Sequence, residues 1–231
     1  MQFFVLDDLR TMDWTYSTSI YAMKPKNQGA APECPVCGAC VGLLPWLPPY
    51  HAEIVLHGQK LGDLVDTTGD SCLVSERFRK AWESEGLRGI EKFSPVERIR
   101  LRPARFGKKT PTLFHVAAQH FGTQVDVERS LIEYDRPITC QKCKSGDAKT
   151  IRGFSIDESS WTGEDFFFAW GVSALIVTDR VREMRDKYGL TNMNMTPVEE
   201  YLWDPFNEWT PICKYPFGSY DLADPTSTKD K

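Results

Sequence analysis

The sequence predicts an α+β fold, strand-rich and built from two related halves. Three observations predict it. A motif of strand end, capped helix and glycine stop occurs twice. A CxxC pair stands in each half at nearly the same spacing. Short apolar runs between turn signals supply the remaining strands.

The repeat is read first because it organises the rest. "LVSERFRKAWESEGL" (Leu73 to Leu87) aligns without a gap with "IVTDRVREMRDKYGL" (Ile176 to Leu190) at an offset of 103. "FSPVE" (Phe93 to Glu97) matches "MTPVE" (Met195 to Glu199) at 102, and Cys34 and Cys37 match Cys140 and Cys143 at 106. Three features in the same order predict a tandem duplication; coincidence is the alternative, since strand, cap, helix and glycine stop is a common pattern. The halves are residues 1–115 and 116–220, each with a CxxC knuckle, and residues 221–231 read as a mobile tail.

In chain order, Gln2 to Leu6 reads as a strand. The prolines of "LLPWLPPY" (Leu43 to Tyr50) make that stretch a loop. Glu53 to Leu56 is a strand, and another ends at Val74. Ser75 is then an N-cap whose hydroxyl can satisfy an orphan amide, and Glu76 sits at the positive end of the helix dipole. Phe78, Ala81 and Trp82 form one helical face, and Gly86 suits the left-handed stop. Phe93 to Leu101 is a return strand, and Thr112 to Ala117 and Ser130 to Ile138 are further strand candidates. "DFFFAW" (Asp165 to Trp170) fits a strand or a buried turn. In the second unit Val177 ends a strand, Thr178 is the N-cap, and Val181, Met184 and Tyr188 form the helical face. Gly189 is the stop, and Asn194 to Leu202 the return.

With 231 residues, 41% of them apolar, the chain can bury a sizeable core without covalent staples. A net charge of −4 argues against general nucleic-acid binding, which wants an excess of Lys and Arg. The N-terminus has no basic region leading into an apolar run, and no stretch is long enough to span a bilayer. No membrane association and a cytoplasmic location are expected.

The seven cysteines carry the clearest chemistry. A CxxC turn sets two sulfurs on one side of a tight bend, and two such turns supply the four-thiolate set that zinc favours. Cys34, Cys37, Cys140 and Cys143 are therefore assigned to one structural zinc ion that ties the halves together. Free thiols and a redox pair are the alternatives. Redox CxxC pairs sit at a helix N-terminus beside a strand, whereas "CPVCGAC" enters a Gly- and Pro-rich loop. Gly38 follows the first pair, but Lys144 follows the second, which predicts a looser second turn. Cys40 offers a third thiol with no equivalent in the second half. Cys72 and Cys213 read as core.

No catalytic constellation is legible. The four histidines form no HExxH pattern and read as surface or core groups, and there is no GxSxG, P-loop or GxGxxG. The one concentrated basic stretch is "RIRLRPARFGKK" (Arg98 to Lys109). Its alternating arginines suit a solvated edge strand, with a nucleic-acid surface as the alternative. "GEDFFFAWG" (Gly163 to Gly171) reads as buried core, with an exposed recognition loop as the alternative.

Two CxxC pairs, "GEDFFFAWG", and "VTDRVREMRDKYGLTN" leading to "PVEEY" together resemble the myxobacterial double-CxxCG proteins, regarded as immunity proteins against toxins delivered by kin. The resemblance runs from Cys34 to Trp203 and is most specific between Trp161 and Tyr201; Lys144 in place of glycine departs from it. It implies a cytoplasmic, non-catalytic protein whose partner is one cognate protein toxin. A zinc-containing nucleic-acid binder using Arg98 to Lys109 is the alternative function.

Overall fold

The computed structural model describes residues 1–7, 14–16, 18–23, 26–68, 71–102, 111–145 and 148–205. Cys213, the stretch 103–110 and the tail at 221–231 lie outside them. The described residues form a strand-rich α+β fold with two α-helices, α1 (Glu76–Glu85) and α2 (Asp179–Tyr188). No helix among them is long and apolar enough to cross a membrane.

The largest sheet runs β14 (Ser155–Asp157), β11 (His120–Asp126), β15 (Phe166–Trp170), β16 (Leu175–Thr178), β1 (Phe3–Asp7), β17 (Asn194–Pro197). A second runs β6 (Leu64–Thr68), β7 (Ser71–Ser75), β10 (Leu113–Ala117), β8 (Ser94–Pro95). Two three-stranded sheets follow: β12 (Ile132–Tyr134), β13 (Ala148–Arg152), β18 (Leu202–Trp203); and β2 (Thr18–Ala22), β5 (His51–Leu56), β9 (Arg98–Arg102). A ribbon pairs β3 (Asn27–Gln28) with β4 (Trp46–Leu47).

Both helices begin and end as their sequences dictate, with one exception. Ser75 Oγ accepts the Phe78 amide at 3.1 Å, and Gly86 and Gly189 stop the helices at φ 60° and 58°. Thr178 makes no such cap; its hydroxyl donates instead to Asp165 Oδ1 at 2.7 Å. Phe78, Ala81, Trp82, Val181 and Met184 are buried in one core that also takes Phe4, Leu64, Val74, Phe166 and Val177. That core therefore draws on residues from both sides of position 115.

The two units share a hydrogen-bonding pattern. In each, a strand from elsewhere lies between the strand before the helix and the return strand: β10 between β7 and β8, β1 between β16 and β17. Phe114 stands opposite Val74 and Pro95, as Phe4 stands opposite Val177 and Pro197. A guanidinium covers each ring, Arg79 over Phe114 at 4.9 Å and Arg182 over Phe4 at 4.8 Å.

Two buried aspartates cross-link the units. Asp63 accepts from Ser75 Oγ, from Arg77 at 3.0 Å and from the Thr191 amide at 3.0 Å. Asp165 accepts from Thr178, from Arg180 at 2.8 Å and from the Arg88 amide at 2.9 Å. Thr191 follows α2 and Arg88 follows α1, so each aspartate is held by its own unit and by the chain leaving the other helix. The arginines reciprocate: Arg77 donates to the Tyr188 and Gly189 carbonyls, Arg180 to that of Glu85, meeting orphan acceptors at the opposite helix end. Gly89 permits this docking, because a Cβ there would lie 2.2 Å from the Phe166 carbonyl oxygen.

His115 shows what burial without a partner costs. It stacks on Tyr50 at 4.3 Å, makes a T-shaped contact with Trp46, and its Nε2 has no hydrogen-bond partner among the described residues. Burial lowers its pKa from 6.5 to about 4. Between those values the unfolded chain binds a proton that the folded chain refuses. Stability contributed by this group is thus full above pH 6.5 and is lost toward pH 4, by about 3 kcal/mol. Urea unfolding of His115→Phe is expected to show a correspondingly flatter pH profile than wild type over that window.

Several strand boundaries differ from expectation. Phe93 to Leu101 divides into β8 and β9, because the turn between them pairs with Tyr50: the amides of Glu97 and Arg98 donate to its carbonyl. Asn194 to Leu202 likewise divides, with a single 3-10 turn at Val198–Glu200 between β17 and β18. Ser130 to Ile138 shrinks to β12. "LLPWLPPY" contains β4, whose Trp46 is buried against Tyr50. Within "DFFFAW", Phe166 to Trp170 form strand β15, buried at every position.

Candidate metal centre

The four predicted cysteines converge. Their sulfurs all lie within 4.8 Å of one another. Cys34 Sγ is 3.9 Å from Cys140 Sγ, and Cys37 Sγ is 3.6 Å from Cys143 Sγ. Four thiolates at 2.3 Å around one tetrahedral ion sit about 3.8 Å apart. The set therefore fits a metal ion, and its soft donors are compatible with zinc. Cys34, Cys37, Cys40, Cys72, Cys140 and Cys143 are free thiols. Neither pair opens an α-helix, in contrast to redox CxxC sites.

Each knuckle is a tight turn closed by the same bond. The Gly38 amide donates to the Cys34 carbonyl at 2.9 Å, and the Lys144 amide to that of Cys140 at 2.9 Å. Gly38 has φ 73° and Lys144 φ 53°, so lysine occupies the left-handed position glycine takes in the first turn. The expectation of a looser second turn is therefore corrected. The lysine backbone takes the strained conformation, and Gly171 leaves room for it: a Cβ at 171 would lie 2.9 Å from Lys144 Cγ. Lys144→Gly should relieve this strain and stabilise the protein by about 1 kcal/mol. Thermal melting and a zinc-chelator competition would show it as a higher Tm and slower metal loss.

The backbone prepares the sulfurs for a cation. Amides of Cys143 and Lys142 lower the Cys140 thiol to about 6 despite its burial. Burial works to raise Cys34, but amides of Val36 and Cys37 and the Cys143 thiol bring it below its ordinary value. At Cys37 the Ala39 amide lowers the thiol. Burial and hydrogen bonding with Cys143, Cys140 and Cys34 outweigh that pull and raise it to about 12. A metal ion must displace protons from this set, so its affinity falls as pH falls.

Beneath the thiols lies a layer that motif spacing does not reveal. Trp170, at the end of β15, packs with Cys34, Cys140 and Cys143. Its Nε1–H donates to the Phe121 carbonyl at 2.7 Å, and the His120 ring stacks on it at 4.5 Å. His120 Nε2 lies 3.3 Å from the Val41 carbonyl, linking this layer to the chain leaving the first knuckle. The only signal for Trp170 was its place in "FAWG", an aromatic run that composition alone assigns to core. Cys40 is exposed and outside the four-sulfur group; Cys72 is buried in the main core.

No protein-family model and no curated protein matches the chain.

Proposed function

We propose that the chain is a cytoplasmic immunity protein that neutralises one cognate protein toxin by stoichiometric binding, with one structural zinc ion on Cys34, Cys37, Cys140 and Cys143. The observation that carries this reading is the four-sulfur cluster. An ion ligated by four thiolates has no open position for substrate, so the metal holds the fold and the work falls to the surface. Cys34, Cys37, Cys140 and Cys143 as free thiols suit a reducing compartment. The resemblance of the two CxxC pairs, "GEDFFFAWG" and "PVEEY" to the double-CxxCG proteins supplies the immunity role.

We further infer that the two units arose by tandem duplication. The support is the pairing of Asp63, Ser75 and Arg77 in one unit and of Asp165, Thr178 and Arg180 in the other, through equivalent bonds. A shared metal between the two knuckles repeats the same logic, because each half supplies half of the ligands.

Co-expression with the toxin encoded beside its gene tests the function. Protection and co-purification as a complex are expected, and protection should survive alanine at any single histidine. Multiple-turnover degradation or modification of the toxin would overturn the binding mechanism and favour an enzyme.

A further inference from the structure

The outward face of the sheet β2–β5–β9 carries charge opposite in sign to the chain. Along β5, Ala52, Ile54 and Leu56 enter the core, leaving His51, Glu53 and Val55 on the other face. The register sets Tyr21 and Arg100 on either side of Glu53, Arg98 beside His51 and Arg102 beside Val55. On β9 the three arginines are exposed while Ile99 and Leu101 pack toward the core.

Three guanidiniums and one carboxylate give this face a formal charge of +2, in a chain of net charge −4. Glu53 is held low, its side chain 16% exposed, and binds Arg100 at 3.3 Å and Arg102 at 3.0 Å. The two arginine side chains stand above it, 62% and 53% exposed. Among the described residues Arg98 has no carboxylate partner. Tyr21, 57% exposed, completes the face on the far strand.

Keeping an edge strand from aggregating requires only charge on that strand. It does not require a half-sunk carboxylate fixing two guanidiniums, nor an exposed aromatic ring two strands away on the same face. Ordered arginines lose less freedom on binding, and Arg and Tyr are the side chains that dominate interface hot spots. A guanidinium fork matches a carboxylate in two parallel hydrogen bonds.

We propose that this face is the partner-docking surface and that the partner presents a carboxylate-rich protein surface to it. The proposal deepens the binding-protein reading and rests on it for the partner being a toxin. A protein partner is favoured over nucleic acid because the face bears three cations beside a single exposed aromatic ring among its described residues, too small a patch to follow a phosphate backbone and with no series of rings to stack bases.

The test uses the full chain and two labelled probes, poly-glutamate and oligo-thymidine, read by fluorescence anisotropy at low and moderate salt. Poly-glutamate should bind more tightly, and more weakly as salt rises. Combined Arg98→Ala, Arg100→Ala and Arg102→Ala should weaken it at least about tenfold. Arg98→Glu reverses the charge of the guanidinium that has no carboxylate partner among the described residues, so it should weaken binding more than Arg98→Ala does; Lys80→Ala, a cation lost from α1, should leave it unchanged. Circular dichroism melts separate lost binding from lost fold. Equal binding by wild type and the triple variant, binding by Arg98→Glu as tight as by Arg98→Ala, or no poly-glutamate binding at all would overturn the proposal. Tighter oligo-thymidine binding with the same arginine dependence would overturn it in favour of a nucleic-acid surface. Poly-glutamate binding as expected, without protection from the toxin, would leave this face standing and remove the immunity reading.

Discussion

Cys140→Ser is expected to abolish stoichiometric metal binding and to destabilise the fold on the order of 5 kcal/mol. Cys140 is buried, and its sulfur faces Cys34 Sγ from the opposite knuckle. Removing it takes one of four ligands and leaves three thiols in a pocket built for negative charge. The loss stays below the roughly 10–16 kcal/mol of isolated zinc peptides, because those have no other core. Here the sheets and helices bury apolar clusters away from the sulfurs. Elemental analysis should fall from one zinc per chain to none, and chelator should lower the Tm of wild type but not of the variant. Cys40→Ser, outside the four-sulfur group, should change neither quantity. Full metal content in Cys140→Ser would exclude this ligand set.

Asp165→Ala is expected to cost about 3–5 kcal/mol. The Asp165 carboxylate is 1% exposed and holds the Thr178 hydroxyl, the Arg180 guanidinium and the Arg88 amide. Thr178 is itself fully buried, so its hydroxyl would lose its acceptor with no route to water. Arg180 is 43% exposed and can be solvated once released. The double variant with Arg180→Ala should therefore be markedly less destabilised than the sum of the two single changes. Asp63→Ala should behave alike, through Ser75, Arg77 and Thr191. Denaturant unfolding measures both, and additivity would show that the carboxylate and guanidinium act independently. Since Asp165 joins β15 to the chain leaving α1, its loss should loosen the union of the two units before either sheet melts.

What the sequence determined by itself is local. Gly86 and Gly189 stop helices because glycine alone takes the left-handed turn without strain. Ser75 caps α1 because its hydroxyl reaches an amide within the same turn. The ligand types and the CxxC bends were equally legible, since each knuckle closes over five residues. The tertiary structure decided everything that couples distant residues. It turned the Thr178 hydroxyl from its own helix to Asp165, a buried charge whose need for donors outweighs a cap. It made Lys144 adopt glycine's conformation, because the knuckle's closing bond and the room above Gly171 compensate the strain. It set Trp170 and His120 beneath the sulfurs and gathered Tyr21 with Arg98, Arg100 and Arg102 on one face, through strand register that spacing along the chain does not encode. Short-range geometry follows from residue type; long-range pairing depends on which strands meet, and that is settled by the whole core at once.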